Sequence, residues 1–567
     1  MGKRKYDVCI VGSGAGAGPV AYTLSRAGFK VLVLEKGPWF RTKDFTKDEI
    51  VAVRRSVYTP NLQDEPQVLE TLNNEGEWIA KSTFKTGRDF WNGSLVGGSS
   101  NFMSGYFHRM KPMDFSLLSK YGPIQGANIT DWPVSYEDME PYYDKVEKIV
   151  GISGRVVDHE YQEPRSTPDY PQAPLAENMM AEWLDEAAQK QGYSLTTIPR
   201  AILSRQKGKR NACLYSNFCG SFACASDAKG SSRVALLDEA LDTGNLTIRA
   251  QAKVFKLETN GTGKIERLWY HDMDGENQQI EAELFVIAAQ AVETSRLLLM
   301  SKNIEFPNGL ANNNGQVGKN LIFSAGGIGS GYFYYNDLPA EKVEKLKAPG
   351  VFVNRSIQKW YEIDDMNNGD RHKGGIIDFL FEHANASAKA IRQKWNDDGS
   401  LLYGTALKQK LKAYFTEQRR LKFEVFNDWL PTDDCFVTLD PEVKDKWGDP
   451  VARIRLGYHE HDLKIARYLT EKAEDLLKEM GAQKVSSSVS GSPPPNLQAG
   501  GCRFGDNPET SVLDKNCKAH EVDNLYITDG SFMPTGGSVT FTWTIFANSF
   551  RVADKMVERL KKQRAVS

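Results

Sequence analysis

Residues 6–37 read YDVCIVGSGAGAGPVAYTLSRAGFKVLVLEKG, and the fold is read outward from them. Val8 to Val11 form a short apolar run, Gly12, Gly14, Gly16 and Gly18 crowd the turn after it, and Val20 to Leu24 carry helical spacing up to Gly28. A second apolar run, Val31 to Leu34, ends in Glu35. This order of strand, glycine turn, helix, strand and acid is the pattern of a dinucleotide-binding βαβ unit, in which the acid takes the ribose hydroxyls. Gly12 permits the tight turn, Gly14 lets the backbone approach a pyrophosphate, and the helix beyond aims its free amides at that anion. Ala17 occupies the third fingerprint position, which the pattern allows. The expected cradle is Gly12, Gly14, Ala15, Gly16 and Glu35; the competing reading is a loop that the glycines merely shape.

The chain has 567 residues, of which 40% are hydrophobic, enough for a large core and more than one domain. Its net charge of -2 gives no electrostatic reason to expect nucleic acid or an anionic membrane as partner. No apolar run approaches the roughly 20 residues of a membrane span, and MGKRKYD enters a strand without a signal-peptide apolar region. The chain therefore reads as soluble. Seven cysteines scattered over such a length argue against a disulfide framework.

Phe40 to Lys81 is polar and helix-like, with DEIVAVRR at Asp48 to Arg55, and offers no chemistry of its own. Gly87 to Arg109, GRDFWNGSLVGGSSNFMSGYFHR, is different: its glycines and serines among aromatics let backbone come close to something flat and large.

The Gly97-Gly98-Ser99-Ser100 loop resembles the first signature of the glucose-methanol-choline (GMC) family of flavoprotein oxidoreductases. The likeness continues in DWPVSYEDMEPYYDKVE (Asp131 to Glu147), LFVIAAQAVETSRLLLMS (Leu284 to Ser301), LPTDDCFVTLDPEVKDKWGDPV (Leu430 to Val451) and NLYITDGSFMPTGGSVTFTWTIFANSFRVAD (Asn524 to Asp554). Within the family the chain is most similar to the large FAD subunits of gluconate, glucose and glucoside dehydrogenases. The resemblance implies an α/β fold, a Rossmann-like FAD-binding domain with a sheet-and-helix substrate domain. Its segments are 1–325 for the FAD domain, 326–495 for the substrate domain and 496–567 for the return to the FAD domain. It also implies that Gly97, Gly98, Ser99, Asn101, Val254, Ala289, Asp529, Gly530 and Thr540 join the cradle around FAD. Asn101, Phe102 and Met103 stand where some members carry a flavin-linking histidine, so noncovalent FAD is expected.

Cys213, Cys219 and Cys224 lie close together in the segment 211–232. Three thiolates so placed can hold an iron–sulfur cluster, and the resemblance implies a [3Fe-4S] centre carrying electrons out of the flavin. Other members keep similar cysteines without metal, and both readings stand. The favoured function is dehydrogenation of a sugar, sugar acid or polyol hydroxyl, with electrons passing to a haem or quinone partner and a small companion subunit. Such a subunit can carry the export signal, so periplasmic and cytoplasmic residence both stay open.

The family's proton-accepting histidine sits eight residues before the glycine that closes LQAGGCRFG, which here puts Leu497 in its place, and Thr540 replaces its Asn or His partner. A positioned base is worth about 10² to 10⁴ in rate. Three accounts compete. A base can come from His108, His372, His383, His459 or His461; a weaker site can be built from Asn496, Gln498 and Thr540; or the protein is a non-oxidising flavoprotein. The lysine-rich runs AEKVEKLK and ALKQKLKAYFTEQRR read as solvated helical faces, Asp462 to Met480 as a scaffold helix, and a last helix starts near Val539.

Overall fold

The strand Tyr6–Val11 lies between Val31–Leu34 and Asn277–Ile287, parallel to both, and its apolar residues are buried. Parallel strands covered on both faces read as continuous apolar runs, which is how VCIV and VLVL announced themselves. The computed structural model of the chain describes residues 6–46, 48–49, 58–88, 90, 92–220, 222–324, 326–348, 352–364, 371–382, 385–396, 398–492 and 497–566. Leu246–Arg249 extends the sheet beyond Val31–Leu34, and Leu525–Ile527 pairs with the last residues of Asn277–Ile287. The first residues of that long strand join an antiparallel hairpin, Lys253–Thr259 and Ile265–His271.

The helix Ala17–Arg26 buries Val20, Ala21 and Leu24 completely, and each large side chain so buried is worth about 1.5–3 kcal/mol. It packs under the C-terminal helix Thr542–Val566, where Tyr22 meets Phe550 edge to face at 6.1 Å. That helix begins at Thr542, three residues after the expected start.

A second, six-stranded antiparallel sheet runs in the order Gln483–Val489, Gly327–Tyr334, Gln418–Asn427, Gly375–Phe381, Arg355–Ile357, Thr196–Thr197. Leu421, Phe423 and Val425 point into an apolar layer with Leu469, Ala473, Leu476 and Leu477 of the helix Glu460–Glu479. The period of two along a strand turns Lys422, Glu424 and Phe426 to the other face.

A third sheet corrects the helix-like reading of Phe40 to Lys81. Val68–Leu72 and Trp78–Ser82 are strands, the former parallel to Pro450–Leu456, which pairs in turn with Cys435–Lys444. Arg453 and Arg455 each bond Glu70 at 2.6 Å; a partner so distant in sequence leaves no local signal. Ile50 to Arg55 of the expected helix lie outside the described residues. Among the described residues, segment 326–495 thus supplies strands to the six-stranded sheet, to the third sheet and to a two-stranded ribbon, Glu362–Asp364 with Arg371–Lys373, and the six-stranded sheet takes one edge strand from within 1–325. Among the described residues, no helix is long and apolar enough to cross a membrane.

Candidate active site

A cavity of about 650 Å³ opens where the carboxyl ends of the parallel strands meet the uncovered face of the antiparallel sheet. The glycine turn forms one end. Gly12 has φ +90°, and a Cβ there would sit 2.3 Å from the Ala288 carbonyl oxygen; at Gly16 a Cβ would lie 2.6 Å from the Asp529 amide. A Cβ on Gly14 would meet no protein atom within 4 Å, and Gly14 lines the cavity. Two glycines are therefore required by neighbouring backbone, whereas the third keeps open a space that belongs to a ligand.

Ala15 and Glu35 also line this end. Glu35 accepts from Ser13 Oγ at 2.5 Å and from the Gly37 amide at 2.9 Å. Burial pushes its carboxyl above the ordinary range, against the pull of those two donors. Gly98 and Ser99 line the cavity, but Gly97 and Asn101 do not. The Gly97 amide donates to Ser13 Oγ, and Asn101 Nδ2 donates to the carbonyls of Val96 and Gly98, so both residues brace the loop from within. Val254, Ala289, Asp529, Gly530 and Thr540 all reach the cavity. Asp529 accepts from the Gln290 amide and from Thr294 Oγ1, which ties the turn before Ala291–Met300 to the C-terminal segment.

At the far end Thr540, Phe541, Thr542 and Ile545 line the wall, so the N-terminus of the last helix faces the cavity. Thr540 Oγ1 donates to the Tyr106 carbonyl at 2.9 Å. The Tyr106 side chain lines the cavity beside Leu380, and its buried hydroxyl meets no hydrogen-bond partner among the described residues. Leu497, with φ +57°, and Gln498 line the cavity as well. Gln498 Nε2 donates to the Phe90 carbonyl, and neither side chain is a base. Asn496 and His383 lie outside the described residues.

None of His108, His372, His459 and His461 lines the cavity. The last three gather elsewhere, with the His372 and His461 rings 5.4 Å apart. His108 is buried, with Nε2 3.0 Å from Asp378 Oδ2. Asp378 faces Glu424 across antiparallel strands, and Glu424 does line the cavity. The sequence reading passed over Glu424. Its signal was the alternation in Leu421 to Phe426, which sets a carboxylate on the face opposite the core residues.

The iron–sulfur centre expected in the cysteine segment finds no support in the structure. Among the described residues, no three His, Cys, Asp or Glu side chains converge to hold a metal. Instead the buried ammonium of Lys229 donates to the carbonyls of Asn101, Cys219 and Phe222 at 2.8–3.2 Å. Cys213, Cys219 and Cys224 pack around an apolar cluster with Leu203 and Phe352. The segment is organised by that cation, and no electron path is derived through it.

Residues 79–324 and 431–549 match the N- and C-terminal models of GMC oxidoreductase, together more than half of the chain. The chain belongs to the GMC oxidoreductase family. It is 29% identical to 2-methyl-1,2-propanediol dehydrogenase of Mycolicibacterium austroafricanum, over 98% of this chain and 95% of that one. It is 26% identical to the fructose dehydrogenase large subunit of Gluconobacter japonicus, over 98% of each. Formate oxidase of Aspergillus oryzae shares the fold, with a TM-score of 0.64 at 14% identity over 98% of this chain and 99% of that one. This GMC oxidoreductase is thus an FAD-dependent enzyme acting on CH–OH donors. Its cavity suits the group, with an open glycine backbone and a buried carboxylate at one end and the positive end of a helix at the other.

Proposed function

We propose that the protein is a dehydrogenase that oxidises a hydroxyl of a sugar, sugar acid or polyol, holds FAD noncovalently and passes the electrons to a partner. One observation carries this reading: a single cavity runs from the glycine cradle to a wall that mixes Leu380, Phe381 and Phe426 with Tyr106, Lys422 and Glu424. Bound FAD supplies a two-electron acceptor for the hydride of the carbinol carbon. The residues of the chain do the rest. Gly12, Gly14, Ala15 and Gly16 offer backbone to the diphosphate and Glu35 accepts from the ribose hydroxyls. Val254 and Ala289 flank the adenosine half, while Gly98, Ser99, Asp529, Gly530 and Thr540 bound the ring half.

On the opposite wall, apolar side chains exclude water while Lys422 and Glu424 orient a hydroxylated substrate. Likeness to a protein named as a large subunit supports a companion subunit, and the acceptor in this reading is a haem or quinone. The test is anaerobic mixing of the yellow protein with 2-methyl-1,2-propanediol, fructose, glucose and gluconate. Loss of the oxidised flavin band with at least one is the expected result. A band that stays unchanged with all of them, in protein that dithionite does bleach, would reject the reading.

A further inference from the structure

We propose that Glu424 takes the hydroxyl proton, with Asp378 and His108 behind it as positioning residues. The inference rests on the dehydrogenase reading and supplies the base that Leu497 and Thr540 cannot be. Glu424 and Asp378 are a directly opposed pair on the antiparallel strands Gln418–Asn427 and Gly375–Phe381, which sets their Cβ atoms about 5 Å apart on the same face. The two differ in exposure. The Glu424 side chain keeps 31% of its surface open and lines the cavity, whereas the Asp378 side chain is sealed at 0%. Asp378 Oδ2 meets His108 Nε2 at 3.0 Å, while Asp378 Oδ1 has no hydrogen-bond partner among the described residues.

A like charge facing it across the strands disfavours the ionised form of Glu424, which makes Glu424 a stronger base than a solvated carboxylate. The charged groups around it agree. Burial raises the Glu424 carboxyl above its ordinary range, Asp378 adds to the rise, and Lys422 and Arg200 oppose it. Lys422 is only loosely engaged, with Nζ 4.0 Å from Glu424 Oε1, and Arg200 is committed to Asn354 and the Ser104 carbonyl. Farther along the wall, Glu382 pairs with Arg420, and Lys389 lies 4.0 Å from it.

Glu424 also stands at the reacting end. Leu380, two residues along from Asp378, packs against Tyr106, whose carbonyl takes the Thr540 hydroxyl. In the balanced step the substrate O–H bond breaks and its proton goes to the Glu424 carboxylate. The adjacent C–H bond gives its hydrogen and both electrons to the family's flavin, and the C–O bond becomes a carbonyl. His108, hydrogen-bonded to Asp378, borders a small polar cavity with Lys111, His159 and Glu163.

The test compares wild type, Glu424→Gln and Asp378→Asn, each loaded with FAD, in anaerobic flavin reduction by 2-methyl-1,2-propanediol and fructose over a range of pH. Wild-type reduction should rise with pH through the titration of Glu424. Glu424→Gln should keep its visible spectrum, lose that dependence and slow by about 10² to 10⁴. Asp378→Asn should keep reduction but move the acidic limb to lower pH, because the like charge is gone. Infrared titration without substrate gives an independent readout: protonated-carboxyl absorption that persists above the ordinary carboxylate range in wild type and is smaller by one carboxyl in Glu424→Gln. If Glu424→Gln sheds FAD, Glu424→Asp decides, since a slower enzyme that keeps the limb supports the assignment and one without the limb rejects it. Glu424→Gln reducing within about threefold of wild type, or an unchanged infrared band, would overturn the assignment while leaving the dehydrogenase intact. Failure of the wild type on every hydroxylated compound tried would instead strike at the function itself, and the infrared band would still decide whether Glu424 holds its proton above the ordinary carboxylate range.

Discussion

Lys373 Nζ lies 3.0 Å from Asp114 Oδ1, and both side chains are sealed inside the protein. The same ammonium donates to Ser538 Oγ at 2.6 Å and stands 3.6 Å from Asp428, whose other oxygen accepts the Gly537 amide. Ser538 has φ +49°, a backbone conformation that a non-glycine residue keeps only when its surroundings impose it. The turn leading to Thr540 is therefore shaped by one buried cation with two carboxylates.

Replacing that cation tests its weight. Lys373→Met leaves Asp114 and Asp428 buried without their counter-charge, and breaking a buried pair from one side costs about 3–5 kcal/mol. Urea unfolding of the variant should show a loss of that size. A loss below about 1 kcal/mol would show that the turn holds itself.

The two kinds of glycine in the cradle should fail differently. Gly14→Val adds a side chain to open space, so FAD-free protein should unfold at the wild-type denaturant midpoint while flavin retention on purification is lost. Gly16→Val drives a side chain into the backbone of Thr528 and Asp529, and overpacking of this kind costs about 1–3 kcal/mol or more. Its FAD-free form should unfold earlier. Equal behaviour of the two variants would contradict the assignment of Gly14 to the ligand.

Acid should act through the helix Glu460–Glu479. His461 is lowered from 6.5 to about 4, first by burial and then by His372, His459 and Lys464, with Asp428 opposing. His459 caps the helix by accepting the His461 amide at 3.1 Å on Nδ1, while its Nε2 donates to the Gln125 carbonyl. A histidine with a depressed folded pKa leaves stability complete above about 6.5 and erodes it as pH falls toward about 4. His461→Gln should flatten that limb by about 3 kcal/mol at its foot, as read by denaturant unfolding at several pH values.

In the cysteine segment, Lys229→Met would strand three buried carbonyls, and hydrogen bonds to a charged group are worth about 1.5–3 kcal/mol each. The variant should be destabilised by several kcal/mol, whereas Cys213→Ser should change little. Purified protein should carry no stoichiometric iron by metal analysis. About three irons per chain would reject a segment ordered by an ammonium.

How much of this was legible in the chain depends on the range of each interaction. The order of strand, glycine turn, helix and strand from Tyr6 to Glu35 was read correctly because its constraints are local: a buried parallel strand is apolar throughout, and a turn against another backbone must be glycine. The scaffold helix was read to within two residues at its start for the same reason, since its stripe repeats every turn. Residues 68–82 were misread because Val68–Leu72 pairs with Pro450–Leu456, far along the chain, and such strands carry no local mark of their partner. Gly97 and Asn101 were expected at the ligand and turned inward, as loop bracing depends on side-chain direction.

The sequence by itself determined that the chain opens with a strand, glycine turn, helix and strand ending in an acid and that no histidine stands at Leu497, because both are statements about residue type at fixed spacing. Only the tertiary structure decided what faces the cavity in its stead. Glu424 and Asp378 lie 46 positions apart, and strand register alone brings them opposite each other. Lys229 likewise becomes the centre of the cysteine segment only when the carbonyls of Asn101, Cys219 and Phe222 fold around it. Charge pairing in a protein interior is set by distance in space, and distance along the chain does not report it.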